Sequence, residues 1–331
     1  MPHLNLASIE QVAQTINSVV DRVREFADTF TDPTYYPPPS DPVDRVALYF
    51  LVMVSQDHRT GRPGRPFEAV IGGRKIHGAD LLYYLGAKAY REEPSLFEPE
   101  HLATLSLEDA KKLLCVNARI CPPDMQRRVL LLRDLGRKLL KLYEGSAYRI
   151  IMLSRGRLFG SPEDPGLIPL LSVFEAYNDP VWKKAMLLAK FLERRGVLEI
   201  QDKWNKRVPV DNHVTRIALR LNLVELEEPL KHKLVKELPF TAWEDILIRT
   251  TVREAWHSIA VRTGLDDFTL DDALWSFGRK VCLPNTPKCH ACENHPFCEN
   301  KQCIFAKHGI CPWAGKSRAI NEHYFIDTWW Y

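Results

Sequence analysis

Long apolar runs are missing from this sequence, and no stretch approaches the ~20 consecutive apolar residues that cross a bilayer. The expectation is a soluble protein with no membrane partner. An excess of one charge is missing too: 45 basic residues face 42 acidic ones, for a net charge of +3. No global field therefore advertises nucleic acid, and any such footprint has to be local. Walker-type glycine loops, Gly-x-Ser-x-Gly elbows, internal repeats and coiled-coil heptads are all absent, which removes the P-loop and serine-hydrolase readings. The opening "MPHLNLASIEQVAQTINSVV" has neither the basic start nor the continuous apolar core of a secretory signal. The expected compartment is the cytoplasm, where thiols stay reduced.

Helical periodicity is plentiful. Segments such as "ASIEQVAQTINSVVDRVREFADTF", "VDRVALYFLVMVSQ", "MQRRVLLLRDLGRKLLKLY", "WKKAMLLAKFLERR" and "LVKELPFTAWEDILIRTTVREAWHSIAV" repeat apolar residues near every 3.6 positions. "FEAVIGG" is the best strand candidate, and one short strand makes no sheet. The prolines of "DPTYYPPPSDP" forbid helix and form an extended crossing segment. The expected class is all-α. With 331 residues, 45% of them hydrophobic, the chain needs no staple in order to fold, so a metal would have a local task.

Cysteine is scarce and then abundant. The first 281 residues hold only Cys115 and Cys121, both read as small buried hydrophobes. Four more then fall within "CLPNTPKCHACENHPFC", as Cys282-x6-Cys289-x2-Cys292-x5-Cys298. Clustered thiols in a reducing compartment read as metal ligands, and ligand type alone leaves zinc and iron-sulfur both open. Cys303 and Cys311 lie just beyond, able to replace one of the four or to bind nothing.

The complete spacing resembles the [4Fe-4S] motif of endonuclease III-like members of the helix-hairpin-helix DNA glycosylase superfamily. "ALWSFGRKVC", with Gly278, Arg279 and Cys282, is similar to the helix that leads into that cluster. The resemblance implies a two-lobed fold. An N-terminal helix and crossing segment (1–43) would pack with the C-terminal lobe, a helical barrel domain would span 44–208, a lobe opening at a catalytic aspartate 209–281, and a cluster module 282–331. The site would lie between the lobes.

The aspartate that the resemblance implies is Asp211, in "VPVDNHVTRIALRLNLV". After Pro209 and before an amphipathic run it is also a good helix N-cap. Cap and catalyst are compatible, because a fixed carboxylate beside the sugar stabilises the oxocarbenium-like transition state of N-glycosidic cleavage. Members that also nick the strand use a lysine after a glycine-rich hairpin. Here "YNDPVWKKAMLL" matches in Lys183 and Ala185, with Lys184 the neighbouring amine. Asp179 and Val181 replace the glycines, so a phosphate-cradling hairpin is not expected in its usual form.

Further nucleic-acid contacts implied by the resemblance are Gln56, after Ser55 at a helix end, and Arg279 and Lys288 around the first cysteine loop. Arg62 and Arg65, with Arg59, sit in the Gly/Pro frame "HRTGRPGRP", and Arg155 and Arg157 in a similar one. Extended arginine strips suit phosphates or a narrow minor groove. No tryptophan among Trp182, Trp204 and Trp275 is singled out for base stacking.

The expected function is a monomeric DNA base-excision glycosylase that acts on a nucleotide flipped out of duplex DNA, with possible lyase activity and a [4Fe-4S] cluster. Alternatives are an N-glycosidase of RNA or of a free modified nucleoside or nucleotide, and a non-catalytic iron-sulfur nucleic-acid-binding protein.

Overall fold

The computed structural model describes the chain except residues 63, 162, 315, 317–319, 321 and 324–327. It is mostly helical, with short strands in antiparallel pairs. Among the described residues no helix is long and apolar enough to cross a membrane. Two compact units form. A terminal unit joins Met1–Asp28 to Lys206–Asp327, and a central unit joins Thr29–Asn205 to Thr328–Tyr331. Six helices position the residues of interest: α1 (Leu6–Asn17), α2 (Val43–Ser55), α3 (Lys183–Arg194), α4 (Asn212–Arg220), α5 (Ala242–Thr263) and α6 (Asp267–Lys280).

In the terminal unit, the Asn5 side chain caps α1 by accepting from Ser8 N–H at 3.0 Å. The helix then buries Ile9, Val12 and Ile16, which recur on one face and pack on α5. Strand Pro2–Leu4 pairs with Val224–Leu226, in the register Pro2 opposite Leu226, and so ties the first residues to the later segment. Helix α5 starts in a capping box between Thr241 and Glu244 and ends at Gly264, whose φ of 62° suits the left-handed cap. Trp256 is fully buried and donates to the Val214 carbonyl at 3.4 Å. Gly278 lets α4 and α6 approach, since a Cβ there would come within 2.8 Å of His213 Cβ.

In the central unit every residue of α2 from Val46 to Ser55 is buried, as expected of a helix apolar on all sides. Tyr49 and Phe50 pack edge to face, and Phe191 packs tilted against Phe50. "FEAVIGG" does form a strand, Glu68–Ile71, which pairs with Arg74–His77. The turn between them is Gly72–Gly73, with φ of 56° and 78°, the left-handed pair that a two-residue hairpin requires. Cys115 and Cys121 are bonded to each other.

Candidate functional site

Asp211 is the N-cap of α4 and only 7% exposed. Its Oδ1 accepts from Val214 N–H at 2.9 Å, and its carbonyl accepts from the Thr215 hydroxyl at 2.7 Å. The residue before it is held as well. Arg249 donates to the Val210 carbonyl at 3.4 Å, and Arg249 is itself fixed by Asp245 at 3.0 Å, which also meets His323 at 2.7 Å. Asp245 and Arg249 are fully buried, so the loop that presents Asp211 is braced by an ion pair.

The other end of α4 grips the cysteine segment. Arg216 donates to the carbonyls of Cys282 at 2.9 Å and Gly278 at 2.7 Å and pairs with Glu322. Arg220 donates to the carbonyls of Leu283 at 2.7 Å and Pro284 at 2.5 Å, and to Cys282 Sγ at 3.3 Å. Both guanidinium groups are buried. Sequence reasoning passed over these two arginines, although their four-residue spacing on one amphipathic helix after Asp211 was a readable signal.

In the central unit the C-terminal end of α2 and the residues just after it meet the start of α3. Lys183 is 5% exposed; its amine donates to the Asp57 carbonyl at 2.9 Å and pairs with Asp57 Oδ1 at 3.3 Å. Tyr83 donates to the other Asp57 oxygen at 3.0 Å. Burial alone would raise the Asp57 carboxyl, but Lys183 and the Tyr83 hydrogen bond outweigh it and hold the group below its ordinary value. Lys184 is fully buried and reaches the Ser55 carbonyl at 2.5 Å and His58 Nδ1 at 3.1 Å. Burial holds its ammonium well below the usual lysine range, with Lys183 and Arg128 adding to the effect.

Burial likewise depresses His58, again with help from Arg128 and Lys184. Its Nδ1 faces the Lys184 amine, and its buried Nε2 has no hydrogen-bond partner among the described residues. Gln56 is fully buried. Its amide donates to Ser55 Oγ at 3.0 Å, and its Oε1 has no hydrogen-bond partner among the described residues. Arg128 locks the segment by donating to the carbonyls of Gln56, His58 and Arg59 at 2.6, 2.9 and 2.9 Å. Asp57 and His58 flank Gln56 in sequence and were overlooked, because a polar run at a helix end is commonplace.

The turn before α3 has a specific filling. Asp179, buried at 3% exposure, accepts from Val181 N–H at 3.0 Å and from Lys183 N–H at 2.9 Å. These are backbone donors of the kind that a glycine hairpin turns toward a phosphate. Trp182 carries the left-handed turn, with φ 63°.

The remaining sequence-predicted contacts are dispersed. Arg62 and Arg65 exchange backbone hydrogen bonds at 3.1 and 2.9 Å, and Arg62 forms an ion pair with Asp124 at 2.5 Å. Arg65 and Lys288 are exposed, and Arg279 is half-buried over the Trp275 ring.

The six clustered cysteines are distributed differently from the order of the motif. Cys282, Cys289, Cys303 and Cys311 line one cavity. The Cys292 and Cys298 sulfurs lie against each other and do not line it. Two of the four ligands read from spacing thus open on the cavity and two do not, so the quartet Cys282, Cys289, Cys292 and Cys298 does not close around one group as the structure stands. Among the described residues no three His, Cys, Asp or Glu side chains meet closely enough to hold a single ion. Burial pushes the Cys303 thiol up to about 12 and that of Cys311 up to about 11, and neighbouring Cys282 and Cys289 add to both shifts. No protein-family model matches the sequence.

Proposed function

We propose that the protein is an N-glycosidase that removes a damaged or modified base from a nucleotide extruded from DNA, with Asp211 as the catalytic carboxylate. The observation that carries this reading is that one helix serves both halves of the resemblance. Asp211 caps α4, and Arg216 and Arg220 of the same helix hold the backbone around Cys282. In this reading a [4Fe-4S] cluster holds that loop in shape, while the chemistry belongs to the carboxylate.

Cleavage of the bond between sugar C1′ and the base nitrogen builds positive charge on the sugar. A carboxylate held by a helix cap stabilises that charge without reorganising, and can orient the water that attacks C1′. Extrusion costs least where pairing is already damaged, which supplies part of the selectivity. Strand nicking would require an amine to attack C1′ in place of water and form a Schiff base. Lys183 holds the motif position, and Lys184 is the neighbour whose charge burial disfavours.

A second reading is an N-glycosidase of RNA or of a free modified nucleoside or nucleotide. Asp179 favours it, because its carboxylate takes hairpin N–H groups that would otherwise meet a duplex phosphate.

The test is a screen for released base with lesion-bearing duplexes, RNA and modified nucleosides, run with wild type and Asp211→Asn. Release from duplexes, lost in the variant and weakened steeply by salt, supports the first reading. Release from nucleosides or RNA alone selects the second. If wild type releases no base but binds nucleic acid, the protein is a binding module and Asp211 only a cap. Borohydride trapping with Lys183→Ala and Lys184→Ala assigns the amine of any lyase step.

A further inference from the structure

Four sulfurs ring the cavity in the cysteine-rich segment, and they are not the four that the motif order selects. Cys282 and Cys289 come from the loop after α6, Cys303 from the hairpin Cys298–Cys303, and Cys311 from the segment beyond the helix Ile304–Lys307. The rest of the wall is apolar, with Ile217 and Phe277 among its residues, apart from Arg220. The backbone fixes the arrangement. Cys303 N–H donates to the Cys289 carbonyl at 2.9 Å, Cys282 N–H to the Phe277 carbonyl at 2.8 Å, and Cys311 N–H to the Phe305 carbonyl at 3.0 Å.

Arg220 is an independent pointer to bound negative charge. It is 1% exposed, has no carboxylate among its hydrogen-bond partners in the described residues, and directs an N–H at Cys282 Sγ at 3.3 Å. A buried guanidinium in an apolar wall is costly unless an anion faces it. Metal-bound thiolates are such an anion, and a dry apolar shell with N–H donors to sulfur is what tunes such a centre. Sulfurs that ring a cavity, instead of meeting at a point, suit a polynuclear cluster, in which each thiolate binds a different iron.

We propose that the ligands of the metal centre are Cys282, Cys289, Cys303 and Cys311, and that Cys292 and Cys298 lie outside the ligand set. The occupant rests on the iron-sulfur reading given above; the choice of cysteines does not. Cys298 stands directly across the hairpin from Cys303, so the two candidate sets are neighbours and only substitution separates them.

The experiment uses anaerobically purified full-length protein and single Cys→Ser variants of all six residues, with iron, zinc and acid-labile sulfide measured per chain. Cys303→Ser and Cys311→Ser are expected to lose most of the metal, as Cys282→Ser and Cys289→Ser do, while Cys292→Ser and Cys298→Ser keep the wild-type content. Loss in Cys292→Ser and Cys298→Ser with retention in Cys303→Ser and Cys311→Ser overturns the assignment. Zinc without sulfide, lost in the proposed four, removes the iron-sulfur reading and leaves the ligand set standing. Wild type free of any metal overturns both. Because buried variants can misfold, wild type is also alkylated before and after metal removal and its peptides are mapped by mass spectrometry. Metal removal should expose Cys282, Cys289, Cys303 and Cys311 together; new labelling at Cys292 and Cys298 in place of Cys303 and Cys311 contradicts the proposal.

Discussion

Helices α3 and α4, one in each unit, both start beneath an aspartate, and the two carboxylates are used differently. Asp179 lies four residues before Lys183 and takes two backbone N–H groups, those of Val181 and Lys183. Asp211 is the N-cap itself and accepts from the Val214 N–H. The first satisfies backbone donors at the start of α3 from within the chain. The second fixes a carboxylate at the mouth of a helix whose far end holds the cysteine loop. An acid near a helix start therefore says little about role until the donors it faces are known.

The largest effect should come from the amine beside Asp179. Lys183→Met leaves the mostly buried Asp57 carboxylate without its cation and should cost about 3 kcal/mol in denaturant unfolding. Lys183→Met in an Asp57→Asn background should cost much less, and equal costs in both backgrounds would show that the pair is not coupled. Asp179→Asn comes next. An amide offers one acceptor oxygen where the carboxylate offers two, so a loss of about 2 kcal/mol is expected. The contrasting Asp179→Gly should gain salt-dependent duplex affinity if the carboxylate occupies a phosphate site, and an unchanged salt slope would count against that.

At α4 the corresponding probe is Gly278→Ala. Its new Cβ would meet His213 Cβ at 2.8 Å, which pushes α4 from α6 at a cost of about 1–2 kcal/mol. Base release should fall although Asp211 is untouched, and an unaltered rate would separate helix position from catalysis.

The smallest effect is a pH dependence in the central unit. Burial depresses His58 in the folded state, so the unfolded chain takes up the proton first. The stability that His58 contributes is complete above the ordinary histidine value of about 6.5 and declines as pH falls below it. Denaturant midpoints at pH 7 and pH 5 should differ less in His58→Asn than in wild type.

The helical class was legible because amphipathic runs such as that of α1 survive any tertiary context, and because α2 is apolar on every side. The strand at Glu68–Ile71 was legible from "FEAVIGG", but its partner Arg74–His77 was not, since a short polar edge strand carries little pattern. The cap role of Asp211 followed from Pro209 and the run after it. The role of Asp179 was half visible: the missing glycines predicted a changed hairpin, but only three-dimensional placement reveals which donors the carboxylate takes. Cysteine spacing reports which thiols can come near one another, whereas which of them line one cavity depends on the hairpin that turns Cys303 toward it.

The most direct measurement is single-turnover release of free base by wild type, Asp211→Asn and Asp179→Asn, each below its own melting temperature. Asp211→Asn should lose at least about 100-fold in rate while melting close to wild type, because its amide oxygen still accepts from Val214. Asp179→Asn should melt lower and keep most of its rate. If Asp211→Asn released base at the wild-type rate, that side chain would be a cap and nothing more.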